Sequence, residues 1–155
     1  MTHTGKVISV NISEEKGVIK LPVDKIKLCD TGIERDAHAG TWHRQVSLLA
    51  AESITRFEKT LGRNVAYGEF AENITTQGLV LYKMKPGDRI KIGENVEMEV
   101  TQIGKKCHGE GCAIFSAVGK CVMPKEGIFC KVITNGTVSA NDNIIYLPAN
   151  NAELQ

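Results

Sequence analysis

Arg89-Ile-Lys-Ile-Gly-Glu-Asn-Val-Glu-Met-Glu-Val-Thr-Gln-Ile103 holds two short apolar segments on either side of a Gly93-Glu-Asn95 turn. In the second arm Val96, Met98 and Val100 alternate with Glu97 and Glu99. A period of two sends successive side chains to opposite faces, so this segment predicts an antiparallel hairpin with one dry and one wet face. Pro86-Gly87-Asp88 turns the chain into the hairpin, and Gly104 closes the second arm. That arm therefore delivers the following residues, Cys107 among them, to the rim of a sheet.

Outward from the hairpin the same chemistry recurs. Lys6 to Ile12 and Lys16 to Leu21 read as an amino-terminal pair around a Ser-Glu-Glu-Lys-Gly turn, and Pro22 places the second at an edge. Ile26 and Leu28 alternate with Lys25 and Lys27, with Cys29 as a packed small hydrophobe. Ile128, Cys130 and Val132 alternate, Asn135-Gly136 marks a turn, Asn143 to Leu147 gives a last strand, and Pro148 onward reads as a frayed tail. Val46, Leu48 and Leu49 lead into one clear helix. In it Ala50, Ile54, Phe57 and Leu61 share a stripe that Gly62 ends. About eight strand segments, one clear helix and a short second one predict a mainly β domain, closed or half closed, since a barrel removes the edge problem.

At 155 residues the chain is expected to be a single domain, with a core over about 5–147. A hydrophobic fraction of 42% with no long apolar run excludes a membrane helix, and the lack of a leader predicts a cytoplasmic protein. In that reducing compartment an odd count of five cysteines, four of them clustered, points to catalysis or metal binding rather than to disulfides. A net charge of +1 and 5% aromatic residues argue against a nucleic-acid partner.

Four of the five cysteines lie between Gly104 and Cys130, among lysines and glycines. Cys107 follows Lys105 and Lys106, and neighbouring cations favour the thiolate, the form that attacks electrophiles and binds metals. Cys107 and Cys112 have a spacing used by zinc sites, and Cys121 with His108 would complete four ligands. A zinc-stabilised, non-catalytic interaction module is accordingly one reading. Two polar segments complete the inventory. Gly32 to Gln45 carries Arg35, Asp36, His38, His43, Arg44 and the only tryptophan, Trp42, while Gly68 to Thr76 carries Asn73. Binding groups concentrate on loops of this kind when a rigid scaffold holds them.

The order of Asp36-Ala-His38-Ala-Gly40, Trp42-His-Arg44-Gln45-Val-Ser-Leu-Leu49, Gly68-Glu-Phe-Ala-Glu-Asn73-Ile-Thr75, Gly87-Asp88, Thr101-Gln-Ile-Gly-Lys-Lys-Cys107, Glu126-Gly-Ile-Phe129 and Asn141-Asp142 resembles the MOSC family, named for the carboxy-terminal domain of molybdenum cofactor sulfurases. The likeness runs from Lys6 to Tyr146 and implies a MOSC-like β-barrel. It implies a molybdopterin-type molybdenum cofactor near Cys107, or a persulfide carried on that cysteine towards a metal centre. Lys20, Arg35, Asp36, His38, Arg44, Gln45, Asn73, Lys105 and Lys106 are then the expected cofactor-binding groups. Amidoxime-reducing relatives, which reduce N-hydroxylated compounds, have basic residues before this cysteine and an Asn-Ile pair; Lys105, Lys106 and Asn73-Ile74 match these, whereas Ala71 stands where they have arginine. The Cys107-His-Gly-Glu-Gly-Cys112 run looks like the small bacterial members. For those the resemblance implies cofactor maturation or delivery, with a cysteine desulfurase or a cofactor-biosynthesis protein as partner.

Overall fold

The computed structural model describes residues 3–16, 18–104 and 126–149. The alternating hairpin forms as the sequence predicts. β7 (Arg89–Ile92) and β8 (Val96–Ile103) pair antiparallel, with Ile90 opposite Met98 and Ile92 opposite Val96. These four residues and Val100 are fully enclosed, while the outward Lys91 is exposed and Glu97 and Glu99 are half-buried. Arg89 on the wet face lies 2.6 Å from Glu97 and 3.4 Å from Glu99. Asp88 fixes the entry. It accepts hydrogen bonds from the Tyr146 hydroxyl, from the Lys85 N–H at 2.9 Å and from the Ala149 N–H at 2.9 Å.

Five more strands close the barrel. They are β1 (Thr4–Ile12), β5 (Val46–Ala50), β6 (Ile74–Gln77), β9 (Ile128–Thr134) and β11 (Asn143–Leu147). The order is β11-β7-β8-β9-β5-β6-β1, and β1 pairs back onto β11 with Thr4 opposite Ile145, so these seven described strands form a ring without an edge. β2 (Leu21–Val23) adds to β1 outside the ring, with Pro22 opposite Asn11, where its missing N–H costs no ladder bond. The amino-terminal pairing thus begins only at the last residue of the Lys16 to Leu21 run. A second sheet of β10 (Gly136–Ser139), β3 (Lys25–Cys29) and β4 (Gly32–Ile33) contributes Val138, Ile26, Leu28 and Ile33 to the same core. The Asn135-Gly136 turn therefore passes the chain from one sheet to another rather than closing a hairpin.

Val46 to Ala50 is a strand and not only a lead into the helix. Its five residues are all buried, because one face lines the barrel and the other lies under α1 (Ala51–Leu61). A strand covered on both sides shows no alternation, and so its sequence looks continuous with the helix that follows. The β5–α1–β6 connection makes β5 and β6 parallel, since a helix carries the chain back to its starting end. On the outside of β5, Leu49, Ile54, Val65, Phe70, Ala71 and Phe129 form a second apolar cluster with Phe57 and Leu61 packed against it. Gly62 ends α1 at φ 74°, its N–H donating to the Glu58 carbonyl at 2.8 Å. The short second helix is a lone 3-10 turn at Leu81–Lys83 among the described residues.

Gly68 sets the approach of the second polar segment to the barrel. It adopts φ +93°, and a Cβ there would lie 2.2 Å from the Lys20 carbonyl oxygen, a backbone atom that cannot swing away. Gly68→Ala should cost more than about 2 kcal/mol of stability, from steric overlap together with left-handed backbone. Urea unfolding of the two proteins measures it; an equal midpoint would mean that the segment is free to shift.

Candidate functional site

Both ends of the cysteine-bearing stretch are fixed to the barrel. β8 and β9 are antiparallel neighbours, Ile103 lies opposite Ile128, and the Gly104 N–H donates to the Gly127 carbonyl at 2.7 Å. The Gln102 amide donates to the Gly104 carbonyl at 2.8 Å. At the returning end, Glu126 accepts a 2.5 Å hydrogen bond from the Ser53 hydroxyl and a 2.6 Å ion-paired bond from Arg56, both on α1. Lys105, Lys106, Cys107, His108, Cys112 and Cys121 lie outside the described residues.

Beside this junction the first polar segment packs against β8 and β9. His43 meets the Gln102 side chain at 2.8 Å, and the Thr101 hydroxyl donates to the His43 carbonyl. Arg44 follows, with its guanidinium 4.7 Å from the centre of the Trp42 ring and 5.6 Å from that of Phe129. Stacking on two aromatic faces holds a cation in place without neutralising it. Arg44 is half-buried, and its buried Nε has no hydrogen-bond partner among the described residues. Lys16 adds a second cation 4.9 Å from the Trp42 ring. The Trp42 indole N–H donates to the His38 carbonyl at 2.7 Å, so the platform is tied to its own loop. The density of polar groups around Trp42 signals this feature in the sequence; the part played by Phe129 has no local signal.

Asp36 and Lys20 form an internal pair. Lys20 Nζ lies 2.7 Å from Asp36 Oδ1, with relative side-chain exposures of 1% and 0%. Asp36 also accepts the Ser13 N–H at 3.1 Å and the His38 N–H at 3.0 Å, and the His38 ring lies 3.6 Å away. Burial by itself raises the carboxyl's pKa, but hydrogen bonds from His38 and Lys20 and the lysine charge outweigh it and hold Asp36 well below the usual carboxylate range. Gln45 is likewise engaged. Its amide donates to the Asp30 and Gly40 carbonyls and its oxygen accepts the Val132 N–H at 2.9 Å, pinning the loop's end to β9.

Asn73 is fully enclosed. Its oxygen accepts the Ser47 N–H at 3.0 Å and its NH₂ donates to the Asn11 carbonyl at 3.1 Å. Ser47 pairs with Phe129 across β5 and β9, so Asn73 and Arg44 flank the same strand pair. Arg35 lies apart, exposed at φ 70° on the wall of a cleft formed with β3. The structure thus brings Lys20, Asp36 and His38 into one cluster and Arg44 and Asn73 to the β5–β9 face. Among the described residues, no three His, Cys, Asp or Glu side chains converge as a metal site. No described helix is long and apolar enough to cross a membrane.

The profile of the MOSC domain matches residues 35–145. Among solved structures, the YuaD protein from Bacillus subtilis superposes with a TM-score of 0.76 at 20% identity, covering 93% of this chain and 96% of that one. YiiM from Geobacillus stearothermophilus gives 0.72 at 19% identity over 92% of this chain and 75% of its own. YiiM from Escherichia coli gives 0.69 at 22% identity, over 94% and 70%. At these identities the likeness establishes the fold. No curated protein matches the chain.

The Lys20–Asp36 pair carries a testable cost. Asp36→Asn removes the carboxylate charge 2.7 Å from the buried Lys20 ammonium and should destabilise the domain by about 3–5 kcal/mol at neutral pH. A depressed folded-state pKa adds stability that is fully present above the unfolded value of about 3.9 and is lost as pH falls through the folded value. The gap between wild type and variant in chemical denaturation should therefore narrow in strong acid, as Asp36 of the wild type takes up its proton. A gap that stays constant down to strong acid would contradict the assigned charges.

Proposed function

The chain belongs to the MOSC domain family, and from that premise we propose that it binds a molybdopterin-type molybdenum cofactor, or carries sulfur for it, in cofactor maturation or delivery. The observation that supports this reading is Arg44, a guanidinium held on Trp42 and Phe129 with its buried Nε unpartnered among the described residues. It stands against the β8–β9 junction from which Lys105, Lys106 and Cys107 follow in sequence. A terminal phosphate on such a cofactor calls for a cation of this kind, since charge-assisted hydrogen bonds to it are short and strong.

The donor set fits the group. Arg44 with Lys105 and Lys106 would hold the phosphate, and Cys107 offers the soft sulfur that molybdenum prefers over carboxylate. Bound there, the cofactor would supply a redox-active metal. In this reading Asn73 and Gln45 position the face on which Arg44 stands, and the Lys20–Asp36–His38 cluster holds the loop that carries Trp42. Arg35, on a separate wall, is a lesser contributor. In the same reading Cys107 bears either the metal or a sulfur atom accepted from a desulfurase-type partner, and the protein acts in the cytoplasm.

Trp42 lies against Arg44 and is the only tryptophan, which provides the assay. Its fluorescence should respond to cofactor, and Arg44→Ala should weaken binding by about 1.5–3 kcal/mol, the scale of a hydrogen bond to a charged group. Cys107→Ser should retain much of the phosphate affinity yet lose metal or sulfur. Equal affinities for wild type and Arg44→Ala would remove Arg44 from the site.

A further inference from the structure

A cleft of about 610 Å³ opens on the outside of the barrel where α1 begins. Tyr67 and Tyr82 flank it, Leu79 and Val80 provide apolar wall, and Glu52 and Arg56 give it one charge of each sign. Its size lies within the range of small-molecule sites. Two of the exposed large hydrophobic side chains, Tyr67 at 41% and Val80 at 36%, meet in it.

The walls are held in place before any ligand arrives. Tyr67 sits between two residues whose N–H groups are anchored, Ala66 to Glu69 at 2.9 Å and Gly68 to Glu72 at 2.9 Å. Glu52 accepts the Gly78 N–H at 2.8 Å, which fixes the turn that carries Leu79 and Val80. Arg56 lies 5.9 Å over the Tyr82 ring while its guanidinium is gripped by Glu126 and Ser53. An exposed Tyr67 ring on anchored backbone and a half-buried Tyr82 ring need little ordering on binding, which favours a flat ligand. The charged groups of the cleft are already engaged, Arg56 by Glu126 and Ser53 and Glu52 by the Gly78 N–H, which disfavours a charged ligand, whereas the exposed Gln77 amide offers both a donor and an acceptor.

We propose that this cleft is a binding site for an uncharged, planar ring compound with both hydrogen-bond donor and acceptor edges, seated between Tyr67 and Tyr82. The Arg56–Glu126 bond places that ligand beside the returning end of the cysteine-bearing stretch. The site uses none of the residues assigned to the cofactor, so its failure would leave that assignment standing.

Ligand-observed NMR on the full chain tests it with three probes: quinazolin-4-one as the uncharged planar compound, benzoate as the anion and benzylammonium as the cation. Quinazolin-4-one should bind saturably, and Tyr67→Ala and Tyr82→Ala should each weaken it by about tenfold. Tyr82→Phe, which keeps the ring, should retain most of the affinity, and Tyr67→Ala removes an exposed side chain and so should leave the fold intact. Absence of saturable binding, affinity unchanged by Tyr67→Ala, or equal binding of either charged probe would overturn the proposal.

Discussion

Asn73 joins three strands that are distant in sequence. Its backbone N–H donates to the Ser47 carbonyl at 2.9 Å, its carbonyl accepts the Asn11 N–H at 2.7 Å, and its side chain repeats both links in the opposite sense. Because β5 and β6 run parallel, no hairpin turn can fix their register, and the start of the pair needs a clamp of its own. One enclosed amide provides it. Leaving the Ser47 N–H and Asn11 carbonyl unpaired at zero exposure would cost about 1–3 kcal/mol for each group. Asn11 extends the lattice to the Glu72 carbonyl at 3.0 Å and to the Thr75 hydroxyl, so this polar knot lies at the centre of the barrel wall and not at its surface.

The Asn73 clamp orders the rest of the wall. With β5 fixed against β6, its other edge pairs with β9, setting Ser47 opposite Phe129. Phe129 supports Arg44, and β9 pairs with β8 to bring Gly104 and Gly127 together. The outer surface of β5 is covered by α1, which reaches Glu126 through Ser53 and Arg56. Register at Asn73 is thereby passed to both flanks of the cysteine-bearing stretch. Glu72, completely enclosed with its pKa raised by burial, accepts the Gly68 N–H and the Thr75 hydroxyl at the same turn.

Legibility in the sequence followed how local each interaction is. The β7–β8 hairpin is visible because its partners are adjacent and one face is wet; α1 is visible through its stripe and Gly62. β5 is obscured because both of its faces are dry. Gly68 to Thr76 reads as a polar segment, yet Glu72 to Thr76 are all buried, and Asn73 finds its partners Ser47 and Asn11 at 26 and 62 positions away. Trp42 and Arg44 stand out as an aromatic beside a cation in a dense polar segment. Neither the Lys20–Asp36 pair nor the tyrosine cleft has such a mark, because each assembles residues from separate segments. Cys107 stands out by its lysines, but its molybdenum role rests on the family.

Elemental analysis of the full chain purified from cells that make the cofactor tests the central assignment most directly. The account predicts about one molybdenum per chain in the wild type, lowered in Arg44→Ala and absent in Cys107→Ser, as expected for a soft metal held by a thiolate. Stoichiometric zinc without molybdenum, together with unfolding on chelation, would contradict it and leave a zinc-stabilised module in its place.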